Sequence, residues 1–159
     1  MDNIIDVLTG EVKTGRDKKI LVSSAIGSCV AVVAIDVKKK VGGMAHIMLP
    51  GKAPAEKSFK TRYAFNALAG LFSKMRKLGA VKNNIKVFIA GGANVLRLKN
   101  CNVGRDNIKS IKGILKDREI NILAKNTGGI ERRRVKLDIS NKTLYYSKGE
   151  GKNRILWKG

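Results

Sequence analysis

Residues 23–50 read SSAIGSCVAVVAIDVKKKVGGMAHIMLP and hold two apolar runs separated by a basic turn. The first run, residues 30–35, is continuous and rich in β-branched side chains, which is typical of a strand buried on both faces. Residues 38–40 are all lysine and predict the turn, and residues 41–48 predict the return strand. Pro50 ends it, because proline has no N–H to give to a sheet ladder. The stretch therefore predicts two adjacent strands joined by a short turn.

A cysteine and the only histidine of the chain lie in this pair of strands. Cys29 opens the first run, and His46 lies at the centre of the second. A thiol and an imidazole on adjacent strands can come within hydrogen-bond reach, as an activated cysteine nucleophile requires. Gly27 and Ser28 precede the thiol, and a tight turn there exposes backbone N–H groups that can hold an oxyanion. Alone, a buried cysteine is usually a small hydrophobe, and a single histidine is usually a core residue; together they favour a catalytic pair.

Other site chemistries have weaker support in the sequence. One histidine and two distant cysteines offer no ligand cluster of the usual spacings, so we expect no metal and no cofactor. A serine nucleophile at Ser28 lacks both the Gly-x-Ser-x-Gly elbow and a second histidine. Cys101 lies in an Asn-Cys-Asn context typical of a turn, with no histidine left to activate it. We expect Cys101 to be incidental.

The remaining patterns predict an α+β fold. Apolar residues at helical spacing from residue 61 to 78 predict one helix, with Gly79 as its C-terminal cap. Residues 105–117 predict a second amphipathic helix, with Asp106 and Asn107 placed to serve its start. Further predictions are polar loops at 15–19 and 51–60, strands at 20–22, 85–90 and 121–124, and a hairpin of residues 134–139 and 143–146. This order suggests an α+β layered fold with two main helices packed on mixed sheets.

Length and composition predict one domain, residues 1–159, ending in a basic tail at about 147–159. We expect this tail to be frayed, although residues 155–157 could pack back or dock onto a partner. The chain has no apolar run near the roughly 20 residues of a membrane span. The N-terminus lacks the basic and apolar regions of a signal peptide. We therefore expect a cytoplasmic protein with reduced thiols and no membrane insertion.

The charge balance favours acidic partners. The chain has 33 Lys and Arg against 12 Asp and Glu, a formal net charge of +21. Such a balance first suggests nucleic acid. The basic residues are scattered over turns and polar helix faces, however, and the few aromatic residues form no repeated stacking pattern. Nucleic-acid binding is therefore not expected as the main role.

The motifs of this chain resemble those of the CheD family, the chemoreceptor glutamine deamidases. The resemblance begins with the run around Cys29 and continues seventeen residues later with His46 in the Gly-Gly-Met-Ala-His-Ile-Met-Leu-Pro run. It continues in the same order along nearly the whole chain, through residues 91–93, residues 102–107 and residues 127–129 with Arg133. It implies the α/β sandwich shared with the cytotoxic necrotizing factor deamidases.

The resemblance also implies an activity and its partners. These are the conversion of receptor glutamine side chains to glutamate with release of ammonia, cytoplasmic helical chemoreceptor domains as substrate, and a CheC-type CheY-phosphate phosphatase as regulatory partner. The family has a hydroxyl residue six positions before the cysteine, usually threonine, which assigns Ser23 as the group that orients the imidazole; Ser24 is an adjacent alternative. Ala25 replaces a common glycine, which implies strain if φ is positive there. Val95 replaces a more usual methionine.

Two other classes of function stay open at this point. A cysteine protease or a transglutaminase uses the same thiol and imidazole on a different bond or with a different acceptor. A non-catalytic basic adaptor, binding nucleic acid or acting as a chemotaxis scaffold, does not depend on the thiol.

Overall fold

The computed structural model describes residues 3–159, so Met1 and Asp2 of the predicted domain lie outside the described residues. The fold has three layers: two helices, a first layer of sheet beneath them, and a second sheet beneath that. The helices are α1 (Ala64–Lys77) and α2 (Val103–Asp117). The strands are β1 (Ile4–Asp6), β2 (Val12–Arg16), β3 (Ile20–Ile26), β4 (Val30–Asp36), β5 (Val41–Ile47), β6 (Ile85–Gly91), β7 (Ile122–Thr127), β8 (Arg133–Asp138), β9 (Thr143–Lys148) and β10 (Arg154–Lys158).

Both sheets have five strands and mixed pairing. The inner sheet, which lies between the helices and the other sheet, has the order β2-β5-β4-β6-β7, and its β6–β7 pair is parallel. The outer sheet has the order β1-β3-β8-β9-β10, and its β1–β3 pair is parallel. The α+β class with two helices and mixed sheets is confirmed.

The β4–β5 hairpin forms the centre of the inner sheet. Val30 pairs with Ile47 at one end and Asp36 with Val41 at the other, and β4 also pairs antiparallel with β6. All seven residues of each strand are buried, which explains the continuous apolar run of β4. The buried carboxylate of Asp36 accepts hydrogen bonds from the backbone N–H groups of Lys39 (3.1 Å) and Val81 (2.8 Å). Asp36 thereby connects the turn at residues 38–40 to Val81, which lies in the segment that leads into β6.

Side chains alternate between two hydrophobic cores. One core lies between the inner sheet and the helices, and its central residues include Val30, Val32 and Ala45. The other lies between the two sheets, with Ala31, Val33 and Met44. Because successive strand residues point to opposite faces, the hairpin contributes to both cores. Each fully buried large apolar side chain contributes about 1.5–3 kcal/mol to folding.

Two glycines allow the three layers to approach closely at β5. A Cβ on Gly42 would lie 2.8 Å from Leu137 and Ile139 of the outer-sheet hairpin, and one on Gly43 would lie 2.5 Å from Leu71 of α1. Both distances are far below ordinary van der Waals contact, which is reached at about 3.5–4.0 Å. The Gly42-Gly43 pair therefore lets β5, the strand that carries His46, lie close to the outer sheet on one side and to α1 on the other.

The predicted first helix and its cap are confirmed. Gly79 has a φ of +103°, and its N–H donates to Arg76 O (2.9 Å), while the N–H of Ala80 donates to Met75 O (3.0 Å). This is the pattern of a Schellman cap, in which glycine tolerates the left-handed conformation. The helix begins at Ala64, because residues 60–62 form a separate 3-10 turn.

Two predictions about the chain ends were wrong. Part of the polar loop expected at 15–19 belongs to strand β2, which pairs with β5 at the edge of the inner sheet. The tail is not frayed, because Arg154–Lys158 forms β10, which pairs antiparallel with β9. A bulge between Ile155 and Trp157 turns the indole onto Phe88, with ring centroids 4.9 Å apart. The ring is partly buried there, so residues 155–157 pack back onto the protein, which was the alternative to a frayed tail.

Within residues 3–159, no helix is long and apolar enough to cross a membrane.

Candidate active site

The strand register places Cys29 and His46 on one face of the inner sheet. His46 lies opposite Ala31, and Cys29 is two residues before Ala31, at the point where β4 begins. Residues two apart on a strand share a face, and diagonal cross-strand neighbours lie about 7–8 Å apart, within reach of a long side chain. Cys29 packs against the core between the sheets, and His46 contacts the outer sheet. Both residues thus lie on the side of the inner sheet that faces the outer sheet, and among the described residues no hydrogen bond joins the thiol to the ring.

His46 is 1% exposed, and its hydrogen bonds define its tautomer. Its Nδ1 lies 2.8 Å from Ser23 Oγ, and Ser23 Oγ donates its only hydrogen to the carbonyl of Val7 at 2.6 Å. The hydroxyl can therefore only accept from the ring, so Nδ1 carries the proton. Nε2 keeps its lone pair and has no hydrogen-bond partner among the described residues. This nitrogen is available as a base.

Burial shifts both titrating groups toward their neutral forms. It lowers the pKa of His46, with a smaller opposing effect from the carbonyl of Val7. It raises the pKa of the Cys29 thiol, opposed in part by a hydrogen bond from the backbone N–H of Cys29 itself. At rest the site therefore favours a neutral thiol beside a neutral imidazole.

Of the two adjacent serines, Ser23 contacts the imidazole. Ser23 is 1% exposed and belongs to the contact described above, whereas Ser24 is exposed. The register of the β3–β8 ladder shifts between Ser23 and Ile26. Ser23, before the shift, is buried against the imidazole, whereas Ser24, within it, is exposed. Ala25 lies in this bulge with a φ of +55°, so the strain that its sequence context implied is present. The bulge directs the chain out of the ladder toward Cys29.

The turn before Cys29 is held from both sides, and among the described residues two of its amides have no backbone acceptor. Gly27 O accepts from Ala93 N (2.9 Å), and Cys29 O accepts from Gly92 N (2.8 Å). Within residues 3–159, no backbone carbonyl accepts from the N–H of Ser28 or of Cys29. Free, neighbouring N–H groups beside a nucleophile are what an oxyanion site requires.

Close packing, as well as turn geometry, explains why position 91 is a glycine. A Cβ on Gly91 would lie 2.4 Å from the carbonyl oxygen of Cys29, and its φ is +125°. Only glycine allows the backbone after β6 to come this close to the turn.

A surface pocket of about 300 Å³ lies over the turn. Its lining includes Gly27, Ser28, Cys29, Val95, Cys101 and Arg132. Cys29 is half-buried and borders this space, which is wide enough for a substrate side chain to enter. Cys101 also borders this pocket, which its turn-like sequence context did not indicate.

The expectation that Asn107 serves the start of α2 was wrong. The helix begins at Val103 with no side-chain cap, and Asn107 is fully buried. Its Nδ2 donates to Ser28 O (3.1 Å) and to Met48 O (3.0 Å). Asn107 and the carbonyl of Val7 are contacts of the site that the residue patterns missed; the only signal for Asn107 was its place in a motif of the resemblance.

Comparison with known proteins identifies the family. The model of the family described as "CheD chemotactic sensory transduction" matches residues 48–148. A protein of Chlorobium luteolum named "Probable chemoreceptor glutamine deamidase CheD" is 38% identical over 150 residues, covering 94% of this chain and 75% of that protein. Proteins named "Chemoreceptor glutamine deamidase CheD" from Thermotoga maritima and Halalkalibacterium halodurans are 35% and 33% identical and cover 92% and 91% of this chain, and 92% and 93% of their own lengths.

The chain belongs to the CheD family, which confirms the resemblance seen in its motifs. The segment matched by the family model begins after Cys29 and His46. The matches to the three relatives, by contrast, cover 91–94% of the chain and so extend over that pair.

Proposed function

We propose that this protein is a cysteine-dependent deamidase that converts glutamine side chains of chemoreceptors to glutamate and releases ammonia. The names of its relatives support the substrate and the reaction. The observation that carries the proposal is the buried His46, whose Nδ1 is held by Ser23 while Nε2, on the face shared with Cys29, has no hydrogen-bond partner among residues 3–159. This is the nucleophile, base and orienting group of a cysteine amidohydrolase.

The first half of the reaction acylates the thiol. Nε2 of His46 takes the proton of Cys29, and the sulfur attacks the carboxamide carbon of the glutamine. The carbonyl oxygen becomes an oxyanion that accepts from the free N–H groups of Ser28 and Cys29. The imidazolium then protonates the leaving amine as the C–N bond breaks, so ammonia departs and a thioester remains.

The second half returns the enzyme to its starting state. Nε2 takes a proton from water, the hydroxide attacks the thioester carbon, and the same amides hold the second oxyanion. The C–S bond breaks, the sulfur recovers the proton from His46, and glutamate is released. Ser23 keeps Nδ1 protonated throughout, which leaves Nε2 as the single nitrogen that moves protons.

The resemblance extends the proposal to the whole chain. Residues 1–159 act as a single deamidase domain whose layered sandwich is of the cytotoxic necrotizing factor type. The substrates are the helical receptor domains in the cytoplasm, where the protein works, and a CheC-type phosphatase is its regulatory partner. The net charge of +21 suits acidic surfaces on such partners.

Mass spectrometry of receptor fragments, with ammonia measured in parallel, tests the proposal. We expect glutamine-to-glutamate conversion on an intact substrate without added amine, which distinguishes deamidation from proteolysis and from transglutamination. Cys29→Ala should abolish the conversion and keep the fold, because one half-buried sulfur contributes little compared with the roughly 2–5 kcal/mol of a Leu→Ala truncation. Cys101→Ala is the control for loss of a thiol and should remain active. A folded Cys29→Ala protein that still deamidates would refute the assignment of the nucleophile.

A further inference from the structure

Asn107 joins the helix layer to the two chain segments that carry the reactive pair. It is fully buried, and its two Nδ2 hydrogens go to the carbonyls of Ser28 and Met48. Ser28 directly precedes Cys29, and Met48 is two residues after His46. The contacts span 79 and 59 residues of sequence.

The chemistry of these contacts suits the NH₂ group of an amide. Both partners are carbonyl oxygens, so only a group with two donors can satisfy them, and the assignment of Nδ2 to this side is unambiguous. Oδ1 makes no hydrogen bond to the described residues. The two Nδ2 donors therefore fix the position of Asn107, because its buried Oδ1 has no partner among the described residues.

Three successive carbonyls of the nucleophile turn are each held by a hydrogen bond. Gly27 O is held by Ala93 N, and Cys29 O is held by Gly92 N. Ser28 O, between them, is held by the side chain of Asn107. The peptide between Ser28 and Cys29 is thus the only one of the three whose orientation depends on a side chain.

Fixing the Ser28 carbonyl also fixes the N–H of Cys29. The described chain has no cis peptide bonds, and in a planar trans peptide the C=O and the following N–H point in opposite directions. The carbonyl of Ser28 points toward Asn107 of α2, whose neighbours Ile108 and Ile111 pack in the core on the helix side. The N–H of Cys29 therefore points to the opposite side, toward the space between the sheets where Cys29 and His46 lie.

We propose that Asn107 is a positioning residue that locks the Ser28–Cys29 peptide so that the N–H of Cys29 faces the developing oxyanion. This inference rests on the proposed deamidase function. Without the amide, the middle peptide is free to rotate, and the oxyanion loses a donor that was in place before the reaction. Such preorganised donors contribute to the rate because they need no reorientation in the transition state.

The test compares two reactions of the same thiol. Deamidation passes through an oxyanion, whereas alkylation of Cys29 by iodoacetamide is a direct displacement at carbon that forms none. Asn107→Leu removes both donors at similar volume. Asn107→Ala is the milder second variant, since it leaves room for water at the two carbonyls. Ile111→Ala, a buried truncation one turn further along α2, is the matched control for loss of helix packing.

We expect kcat for deamidation to fall about 10- to 100-fold in both Asn107 variants, below the roughly 10²–10³ of a fully removed oxyanion donor. The rate of Cys29 alkylation, located by peptide mass mapping, should stay within about twofold of wild type, a range that is negligible beside the effect of a removed donor. Circular dichroism and thermal unfolding report the fold of each variant, and Ile111→Ala should keep its kcat while folded.

Three results would overturn the inference and leave the proposed function standing. Folded Asn107 variants with normal kcat would show that the N–H of Cys29 needs no such support. If kcat and the alkylation rate fell together, the substitution would have changed the reactivity of the thiol and imidazole and not the binding of the oxyanion. An equal loss of kcat in Ile111→Ala would assign it to general packing of α2. A wild-type protein that releases no ammonia would refute the proposed function itself, and the oxyanion role with it.

Discussion

Ser23 determines which nitrogen of His46 can act as a base. A serine hydroxyl has one hydrogen, and here Val7 O takes it, so the oxygen presents only lone pairs to the ring. A neutral acceptor stabilises the imidazolium less than a carboxylate does, but it fixes the tautomer equally well. The proton arrangement of the site thus follows from a backbone carbonyl acting through a hydroxyl.

Substitution of Ser23 tests this arrangement. Ser23→Ala frees Nδ1 and allows the wrong tautomer, so we expect kcat for deamidation to fall by about 10- to 100-fold, less than the roughly 10²–10⁴-fold that general acid–base catalysis contributes as a whole. Ser23→Thr keeps the hydroxyl and should retain activity. Ser24→Ala, at the exposed neighbouring position, is the matched control and should behave as wild type. A wild-type rate in Ser23→Ala would contradict the orienting role.

The pH dependence follows from the burial of His46. Because burial lowers its pKa, Nε2 is free of protons down to a pH below the ordinary imidazole value of about 6.5. The deamidation rate should therefore rise with pH around a midpoint below that value. A midpoint above it in the pH profile of kcat/KM would contradict the assignment of His46.

The free energy of unfolding, like the deamidation rate, should rise with pH in this range. Between the lowered pKa and about 6.5 the unfolded chain binds more protons at this histidine than the folded protein. The stabilisation is therefore fully present above about pH 6.5 and is lost as the pH falls through this window to the folded pKa. His46→Gln should remove this part of the slope in thermal unfolding, since no other histidine exists in the chain.

Residue chemistry explains what the sequence could and could not predict about the site. Cys29 and His46 were predicted because a thiol and the only imidazole of the chain lie within a short span, and Ser23 was assigned through the resemblance. Val7 acts through its carbonyl, which every residue possesses, so no pattern marks it. Asn107 acts across 79 residues of chain, and an asparagine near a helix start has a local explanation that happened to be wrong here.

At the scale of elements, prediction succeeded where burial dictates sequence. β4 is buried on both faces and reads as an unbroken apolar run, and α1 shows its stripe and its glycine cap. β2 and β10 are edge strands of their sheets, with mixed polar residues. Their pairing depends on partners distant in sequence, such as β5 for β2, and local composition does not encode such partners.

Replacing a glycine of β5 and a glycine of α1 by alanine should change the free energy of unfolding in opposite directions. Gly43→Ala places a methyl group 2.5 Å from Leu71 and should destabilise by about 1–3 kcal/mol through overpacking. Gly70→Ala, within α1, meets nothing within 4 Å and should stabilise by about 0.5–1 kcal/mol, because alanine loses less backbone entropy in a helix. Urea unfolding of both variants measures the two effects. Equal shifts of the same sign would contradict the close approach of α1 to β5.

At the scale of the whole molecule, positive charge is poorly compensated. Among the described residues only two ion pairs form, Glu11–Lys13 (3.8 Å) and Arg16–Asp17 (3.6 Å), both on the surface. Lys112 and Lys125 lie side by side, and this contact lowers the pKa of Lys112. A net charge of +21 on 159 residues repels itself, which destabilises the compact state, and it attracts acidic surfaces, which speeds their encounter.

These two effects predict opposite responses to salt. Screening shortens from about 30 Å at 0.01 M to about 8 Å at physiological ionic strength, so added salt should weaken both the self-repulsion and the attraction to acidic receptors. We expect the thermal midpoint to rise with sodium chloride while kcat/KM for deamidation falls and kcat changes little, because steering acts on encounter. Random duplex DNA is the control ligand. Tight binding to it with a steep salt dependence would indicate counterion release and favour a nucleic-acid role instead. A kcat/KM that is independent of salt, in a protein that salt does stabilise, would show that the excess charge affects folding alone and does not guide the protein to its substrate.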